Sequence, residues 1–311
     1  MERRKFIATG ILSGLGLATA QHVSAQSKST KRSLRIVHIT DTHMFPDPVP
    51  EKGIANLVSE LNQLEDKPDF VIHTGDHIMD ALNKTKDETE AQWQTWKHVF
   101  RDSLNHKLYN CLGNHDVWGW ALKDTKAKTD PLYGKTWAKE YLEIENTWFS
   151  FEQNGWKFIC LDSVSPGDKD RSYKAHLGNE QFRWLKNELA QTSSDTPIMI
   201  ASHIPILSAS AYFDGDNEKS GNWNVPGAWM HLDARKIKDL FHKHPNVKGA
   251  ISGHIHLADY TKYLNVSYYC NGAACGNWWN GSYQEFPPVY ALIDFYEDGS
   301  VVTELIPYNW E

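Results

Sequence analysis

Short apolar runs alternate with longer amphipathic stretches along the chain from residue 34 onward. In the amphipathic stretches, apolar residues recur every three or four positions, which is the spacing of a helix that buries one face. This alternation of strands and helices is typical of a layered α/β domain. The predicted strands are 34–40, 70–74, 108–112, 198–202 and 247–252, and the predicted helices are 54–64, 93–104, 182–189 and 237–241.

Two tight turns predict additional antiparallel strands. Asn154-Gly155 and Asp298-Gly299 each separate two apolar runs, and such dipeptides are the strongest short signals for a β-hairpin. The four strands are predicted at 148–153, 156–161, 290–295 and 301–306. No internal repeat or linker interrupts the sequence after residue 33, so we expect one domain over 34–311.

The first residues have the pattern of an export signal. Arg3, Arg4 and Lys5 precede an apolar stretch at 6–20, which is short for a membrane span. The paired arginines resemble the twin-arginine signal, and a general secretory signal or an uncleaved anchor are the alternatives. We predict a signal peptide at 1–25, an exported periplasmic or extracellular bacterial protein, and no further membrane-crossing segment after cleavage.

The composition is that of an ordinary globular protein. The chain has 311 residues, of which 41% are hydrophobic and 23% are charged. Its 32 basic and 39 acidic residues give a net charge of −7, which argues against a nucleic-acid polymer as partner. The 4 cysteines include no C-x-x-C pair, the spacing typical of structural zinc sites and of thiol redox chemistry. Nothing in the sequence indicates the oligomeric state. Histidine, the commonest protein ligand of transition metals, occurs 15 times.

Polar side chains that can bind metal follow five of the predicted strands. Because loops beyond the carboxyl ends of strands collect at one edge of a sheet, these residues can converge in one crevice. In a segment of the form x-y-x, the outer two side chains point the same way, as a shared ion requires. The five segments are Asp41-Thr42-His43, Gly75-Asp76, Gly113-Asn114-His115-Asp116, His203 and Gly253-His254-Ile255-His256.

A buried group of carboxylates, imidazoles and an amide is unfavourable unless cations compensate it, and its size favours two ions over one. Mixed nitrogen and oxygen donors fit divalent manganese, iron or zinc. The motif glycines allow tight turns and close backbone approach beside these residues. His38 and His73 lie inside strands, and we interpret them as hydrogen-bonded core residues rather than ligands.

The order of these motifs resembles the calcineurin-like metallophosphoesterase superfamily, whose pattern is D-x-H, G-D, G-N-H-D/E, a lone His and G-H-x-H. The resemblance implies a four-layer α/β/β/α sandwich with two central mixed sheets. It also implies that His115 protonates the leaving alkoxide or holds a phosphoryl oxygen. The implied ligands are Asp41, His43 and His256 for one ion, Asn114, His203 and His254 for the other, and Asp76 as the bridge.

The segment after Asp76 departs from two branches of that superfamily. Met79 stands where the purple acid phosphatases have a tyrosine ligand, which argues against a ferric site. Asp80 stands one residue beyond the corresponding aspartate of the serine/threonine protein phosphatases, and the arginine that follows it there is missing here. We therefore do not include Asp80 among the predicted catalytic residues.

The resemblance implies metal-dependent hydrolysis of a small phosphate ester by a hydroxide activated at the two ions. We favour phosphodiesters as substrates, because no added arginine that would meet a monoester dianion is identifiable. An exported phosphomonoesterase and a catalytically silent, metal-stabilised binding module remain alternatives.

Three further features of the sequence concern the surroundings of the site. Tryptophans close to the motifs, at 118, 120, 223, 229, 278 and 279, either line a substrate pocket or pack beneath loops. The segment 209–228 is the best candidate for a lid or rim of the site. Cys270 and Cys275 form either a disulfide or a pair of free thiols.

Overall fold

The fold is described from a computed structural model, which covers residues 30–168 and 172–310. The export signal predicted at 1–25 lies outside these described residues. The described strands are β1 (Arg32–Ile39), β2 (Phe70–His73), β3 (Leu108–Asn110), β4 (Phe149–Gln153), β5 (Trp156–Leu161), β6 (Val164–Pro166), β7 (Tyr173–Ala175), β8 (Ile198–Ser202), β9 (Val247–Ser252), β10 (Ala258–Tyr263), β11 (Val266–Asn271), β12 (Val289–Tyr296) and β13 (Val301–Pro307). The described α-helices are α1 (Pro48–Gln63), α2 (Lys86–Trp96), α3 (Thr136–Leu142), α4 (Gly178–Gln191) and α5 (Ala234–His242).

Two mixed sheets form the centre of the molecule. The first has the strand order β13-β12-β1-β2-β3, in which β1, β2 and β3 are parallel and β12 and β13 are antiparallel. The second has the order β10-β11-β9-β8-β5-β4, with β11, β9, β8 and β5 parallel and the two edge strands antiparallel. A short hairpin of β6 and β7 stands apart from both sheets.

The two sheets pack face to face through an apolar layer. Ile36, Phe70 and Phe295 from the first sheet meet Phe158 and Met199 from the second, and all five are buried. Successive residues of a strand point to opposite faces, so the neighbours of these residues face outward and pack against helices. Burial on both faces explains why the central strands read as nearly continuous apolar runs.

Helices cover the outer face of each sheet. On the first sheet, Leu57 of α1 and Trp93 of α2 pack against Val37 and Val71 of the strands. On the second, residues of α4 and α5 pack against Ile159 and Ile200. The result is the four-layer α/β/β/α arrangement, and the predicted fold class is confirmed. Within the described residues, no helix is long and apolar enough to cross a membrane.

Several predicted elements differ from the structure at their boundaries. Helix α1 begins at Pro48, because Asp47 caps it and prolines occupy its first turn, whereas the apolar spacing begins only at Ile54. Helix α2 begins at Lys86 after a capping box formed by Thr85 and Glu88, and it continues into a π-helical turn before residue 104. The short strands β6, β7, β10 and β11 and helix α3 were not predicted.

Candidate metal centre

All eight residues predicted for the site lie together at the carboxyl ends of five strands. The convergence spans long sequence distances: the rings of His43 and His256 approach to 3.2 Å, and His203 approaches Asn114 to 3.0 Å. Strand β1 precedes Asp41 and His43, β2 precedes Asp76, β3 precedes Asn114 and His115, β8 precedes His203, and β9 precedes His254 and His256.

The backbone at five of these residues has a left-handed conformation. This region is uncommon for residues other than glycine, and such conformations cluster at functional sites. The values of φ are 56° at Asp41, 41° at His43, 55° at Asp76, 72° at His254 and 62° at His256.

Two motif glycines allow the loops to approach each other at van der Waals distance. A Cβ atom at Gly113 would lie 2.0 Å from the backbone nitrogen of Asp76. A Cβ atom at Gly253 would lie 2.0 Å from Oγ1 of Thr40 and 2.3 Å from Oδ2 of Asp41. The close approach predicted for these glycines is therefore confirmed, and any side chain at either position would displace a predicted ligand.

The orientation of His43 and His256 is set by backbone carbonyls. Nδ1 of His43 lies 3.4 Å from the oxygen of Met79, and Nδ1 of His256 lies 2.6 Å from the oxygen of Gly276. A carbonyl oxygen only accepts a hydrogen bond, so Nδ1 carries the proton in each ring. The two Nε2 atoms are directed at each other at 3.2 Å, an arrangement that a cation bound by both would stabilise.

A second group of donors surrounds His203. Its Nε2 lies 3.0 Å from Oδ1 of Asn114, 3.1 Å from Oδ2 of Asp76 and 3.1 Å from Nδ1 of His254. His254 donates from Nε2 to the carbonyl oxygen of Ala228. In the neutral ring its Nδ1 therefore carries the lone pair that can bind a metal ion. Burial, followed by the neighbouring His203, lowers the pKa of His254 to about 3, which keeps the ring neutral.

The carboxylate of Asp76 lies between the two groups. Its Oδ1 accepts the backbone N–H of His115 at 2.8 Å. Its Oδ2 lies 3.1 Å from Nε2 of His203 and 3.6 Å from Nε2 of His43. Burial opposes ionisation, but the imidazoles of His203 and His115 outweigh it and hold the pKa of Asp76 far below its usual range.

One oxygen of Asp41 has protein donors and the other has none. Oδ2 accepts hydrogen bonds from Oγ1 of Thr40 at 2.6 Å and from the backbone N–H of His254 at 2.9 Å. Oδ1 is buried 3.4 Å from Nε2 of His256, and no described residue donates a hydrogen bond to it. Burial opposes ionisation, but His256 and His43 outweigh it and hold the pKa of Asp41 well below its usual range.

These donors fit divalent cations. A buried carboxylate oxygen without a hydrogen-bond donor is unfavourable unless a cation neutralises it, and the two facing imidazole nitrogens beside it are suitable ligands for that cation. Potential ligand atoms lie within 4.8 Å of one another in three sets: Asp41, His43 and Asp76; Asp76, His203 and His254; and His43, His256 and Cys275. Cys275 was not a predicted ligand, and its Sγ lies behind His256, 3.8 Å from the Nδ1 that faces Gly276.

The sequence profile of one known family, described as calcineurin-like phosphoesterase, matches residues 34–258, which is most of the chain. The chain belongs to the calcineurin-like phosphoesterase family. Membership confirms the resemblance found in the motifs and identifies the chain as a metal-dependent hydrolase of phosphate esters.

Two curated relatives of this phosphoesterase are bacterial. A 3′,5′-cyclic-nucleotide phosphodiesterase of Nostoc is 25% identical over 297 residues, which cover 90% of this chain and 95% of the relative. A probable glycerophosphodiester phosphodiesterase of Arcobacter nitrofigilis is 22% identical over 238 residues, covering 74% of this chain and 75% of the relative.

A solved structure has the same fold as this phosphoesterase. A dimetal phosphatase from Danio rerio superimposes with a TM-score of 0.63 at 12% identity, covering 90% of this chain and 98% of the other. At this identity the likeness shows the shared architecture alone.

Asp116 holds the loops of this phosphoesterase site together, a role that the motifs alone do not indicate. Its carboxylate accepts the backbone N–H groups of Asp76, His77 and Gly113 at 2.8 to 3.1 Å. It also accepts from Nδ1 of His77 at 2.8 Å. Its place directly after Asn114 and His115 in the motif was the only signal available in the sequence.

Asp80, which is not among the predicted catalytic residues, lies beside His115. Its Oδ1 is 3.6 Å from Nδ1 of His115. Gln92 holds the Asp80 backbone, since the amide accepts the Asp80 N–H and donates to its carbonyl oxygen, both at 2.9 Å. Burial disfavours the charged form of His115, but Asp76 and Asp80 outweigh it and raise its pKa to about 8. The His115 side chain is 28% exposed and can meet a substrate.

His38 and His73 are hydrogen-bonded core residues, as predicted. His38 contacts Oγ1 of Thr74 at 2.8 Å and accepts from the amide of Asn271 at 2.8 Å. His73 contacts Oγ1 of Thr42 at 3.0 Å and stacks on the ring of His77 at 3.9 Å. Burial lowers the pKa of His38 to about 3, so the ring stays neutral.

The structure gives the burial of the tryptophans near the motifs and the state of Cys270 and Cys275. Trp118 and Trp279 are buried beneath loops, whereas Trp278 is exposed beside His256. Cys270 and Cys275 are both free and buried; Cys270 points at the carbonyl oxygens of Gly253 and Leu257.

Proposed function

We propose that this phosphoesterase hydrolyses phosphodiesters at a centre of two divalent ions. The observation that carries the proposal is the position of Asp76, whose Oδ2 faces His203 at 3.1 Å and His43 at 3.6 Å. One carboxylate thereby belongs to two sets of ligand atoms. The proposed ligands are Asp41, His43 and His256 for one ion, Asn114, His203 and His254 for the other, and Asp76 for both.

The donor set supports manganese, iron or zinc. Four imidazoles, two carboxylates and one amide oxygen make a mixed nitrogen and oxygen site, and the absence of thiolates from it disfavours softer ions. Burial raises the pKa of the Cys275 thiol, which favours its neutral form over a ligating thiolate. When bound, such ions polarise the phosphoryl oxygens and supply a water nucleophile at neutral pH.

The residues of the chain orient the substrate and transfer the proton. His115 stands at the open side of the centre, with its backbone N–H held by Asp76 and its Nδ1 directed toward Asp80. In this position the imidazole can hold a phosphoryl oxygen or protonate the leaving alkoxide, as general acid catalysis requires. The carbonyls of Met79, Gly276 and Ala228 keep the ligand rings in the orientation that binding needs.

The charge around the centre supports a diester substrate. Among the described residues, no lysine or arginine makes a hydrogen bond or ion pair with the seven proposed ligands or with His115. A diester carries one negative charge, whereas a monoester dianion carries two and gains more from additional cationic groups. The names of the relatives from Nostoc and Arcobacter, both phosphodiesterases, agree with this preference.

We also propose that the protein acts outside the cytoplasm. The support is the sequence at 1–25, where paired arginines, an apolar stretch and small residues occur in the order of an export signal. Fractionation of the native host, with the N-terminal residue of the recovered protein determined, tests this proposal. Recovery from the cytoplasm with residues 1–25 intact would contradict it.

The diester proposal is tested with two chromogenic esters. Initial rates of the manganese-loaded protein are compared on bis(4-nitrophenyl) phosphate and 4-nitrophenyl phosphate, with a chelated sample as control. We expect faster cleavage of the diester, abolished by chelation. Faster cleavage of the monoester would replace the proposal with a phosphomonoesterase, and a metal-loaded protein inert on both would favour a binding module.

A further inference from the structure

Two aromatic side chains line one side of the proposed metal centre. The ring of Trp278 lies 4.4 Å from that of His256 and 6.1 Å from that of His43. Tyr283 packs edge-on against Trp278 at 5.5 Å and lies 6.1 Å from His256. A group attached to a phosphate bound at the centre would therefore meet aromatic surface on this side.

The backbone holds Trp278 in an exposed position that packing alone does not explain. Both Trp278 and Trp279 have left-handed backbone conformations, with φ of 45° and 68°. Trp279 is buried and donates its indole N–H to the carbonyl oxygen of His43 at 3.1 Å, which anchors the turn. Trp278 remains 36% exposed. A strained backbone that exposes a large apolar side chain beside a proposed metal-binding residue is typical of a substrate-binding site.

The aromatic surface continues onto the segment 209–228. Tyr283 donates its hydroxyl to Asp214 at 2.6 Å, and the amide of Gln284 donates to the carbonyl oxygen of Phe213 at 3.3 Å. Phe213 is 64% exposed and packs against Trp223, which is 54% exposed. We call Trp278, Tyr283, Phe213 and Trp223 the aromatic wall. These hydrogen bonds join the segment to the loop of Trp278, which lies beside His256, and this link to the proposed metal centre favours the substrate over a separate partner as the occupant of the wall.

The charge of the segment limits what the wall can bind. Residues 209–228 include Asp214, Asp216 and Glu218 but one basic residue, Lys219, which pairs with Asp216. A second phosphate of a substrate would be repelled here, whereas a neutral ring would not. Flat rings bind exposed aromatic side chains through their faces and edges, and each stacked base improves binding about tenfold.

We propose that the aromatic wall binds the aromatic substituent of the substrate, a diester with a single phosphate and a nucleobase or aryl group. This inference rests on the proposed phosphodiester hydrolysis and names the substrate class of the same site. Trp278 is the specificity-determining residue, because it joins the wall to the ligand rings of His256 and His43.

The test compares an aromatic diester with an aliphatic one. Values of kcat/KM are measured on cyclic AMP and on glycerophosphoethanolamine for the manganese-loaded wild type, Trp278→Ala and Trp278→Phe. We expect Trp278→Ala to lower the ratio of the two values about tenfold, mainly through KM for cyclic AMP, and Trp278→Phe to restore most of it. Trp184→Ala, on the outer helix α4, is the matched control and should leave the ratio unchanged.

A binding measurement separates this inference from the proposed function. Calorimetric titration with AMP should show weaker affinity in Trp278→Ala, while titration with inorganic phosphate should match the wild type. An unchanged ratio with unchanged AMP affinity would overturn the inference. An equal loss on both diesters, with less bound manganese, would also overturn it, because Trp278 would then only support the ligands. If the wild type cleaves neither diester, the proposed function fails. The affinities of the wild type and Trp278→Ala for AMP and for inorganic phosphate then still test whether the aromatic wall binds a nucleobase.

Discussion

Nε2 of His43 and Nε2 of His256 lie 3.2 Å apart, while Nδ1 of each ring faces a backbone carbonyl oxygen. With Nδ1 of each ring directed at a backbone carbonyl, both Nε2 atoms point at the same place in the site, as two ligands of one cation do. Oδ1 of Asp41, which accepts no hydrogen bond from the described residues, lies 3.4 Å from Nε2 of His256. These unfavourable contacts between neighbouring ligand atoms are the strongest structural reason to expect a cation here.

Loss of His256 should therefore remove metal from this side of the centre. We expect His256→Ala to bind fewer manganese ions per chain and to lose activity by about 100-fold or more, because changes outside the ligands alone cost about 10- to 100-fold. Bound metal is measured by elemental analysis after desalting. His242→Ala, an exposed histidine at the end of α5, is the control and should retain both metal and activity. Full metal content in His256→Ala would contradict its role as a ligand.

Metal binding should also stabilise the fold. A ligand that binds only the folded state at 100 times its Kd adds about 2.7 kcal/mol to the free energy of unfolding. Chelation should therefore lower the Tm of the wild type, and it should lower the Tm of His256→Ala by less. Thermal unfolding with manganese and with a chelator measures both differences. Equal effects of chelation on the two proteins would show that His256 contributes no metal-dependent stability.

His115 should affect turnover without affecting metal content. We expect His115→Ala to keep its metal and to lose turnover by about 10²- to 10⁴-fold, the contribution of a general acid or base. Asp80→Asn should lose less, about tenfold, because Asp80 acts through His115 at 3.6 Å. Single-turnover rates and metal analysis of both variants provide the measurement. A His115→Ala enzyme with normal turnover would require another proton donor.

Asp116 should determine whether the ligand loops fold. Asp116→Ala leaves the buried N–H groups of Asp76, His77 and Gly113 without an acceptor, which should lower the free energy of unfolding by about 3 to 5 kcal/mol. Asp116→Asn keeps one oxygen as an acceptor but places its amide N–H₂ against some of these N–H groups. We therefore expect a smaller loss of the free energy of unfolding than for Asp116→Ala. Urea denaturation of both variants measures the effect. Losses below about 1 kcal/mol for both would contradict this role.

Gly253 should tolerate no side chain. A Cβ atom there would lie 2.3 Å from Oδ2 of Asp41, so Gly253→Ala should displace that ligand and lower both metal content and activity. The overpacking should also cost about 1 to 3 kcal/mol of stability. Gly281→Ala is the control, since a Cβ atom at Gly281 meets open space although its φ is 90°. Equal metal content in the two variants would show that the site adapts to the clash.

Local sequence was enough to predict most of the site and the central strands. The predicted ligands lie one to four residues beyond strand ends, so the strand pattern and the motifs together locate them. The contacts of His256 with Gly276 and of His254 with Ala228 could not be predicted, because a backbone carbonyl has no sequence signature. Edge strand β10 was also missed, since its exposed side chains have no apolar run. The position of Asp80 beside His115 depends on the path of the loop, which a motif count does not describe.

Anomalous X-ray diffraction tests most directly whether two ions share Asp76. Crystals of the manganese-loaded protein are measured on both sides of the manganese absorption edge. Two anomalous peaks are expected, one among Asp41, His43 and His256 and one among Asn114, His203 and His254, with Asp76 in contact with both. A single peak, or peaks away from Asp76, would contradict the two-ion centre.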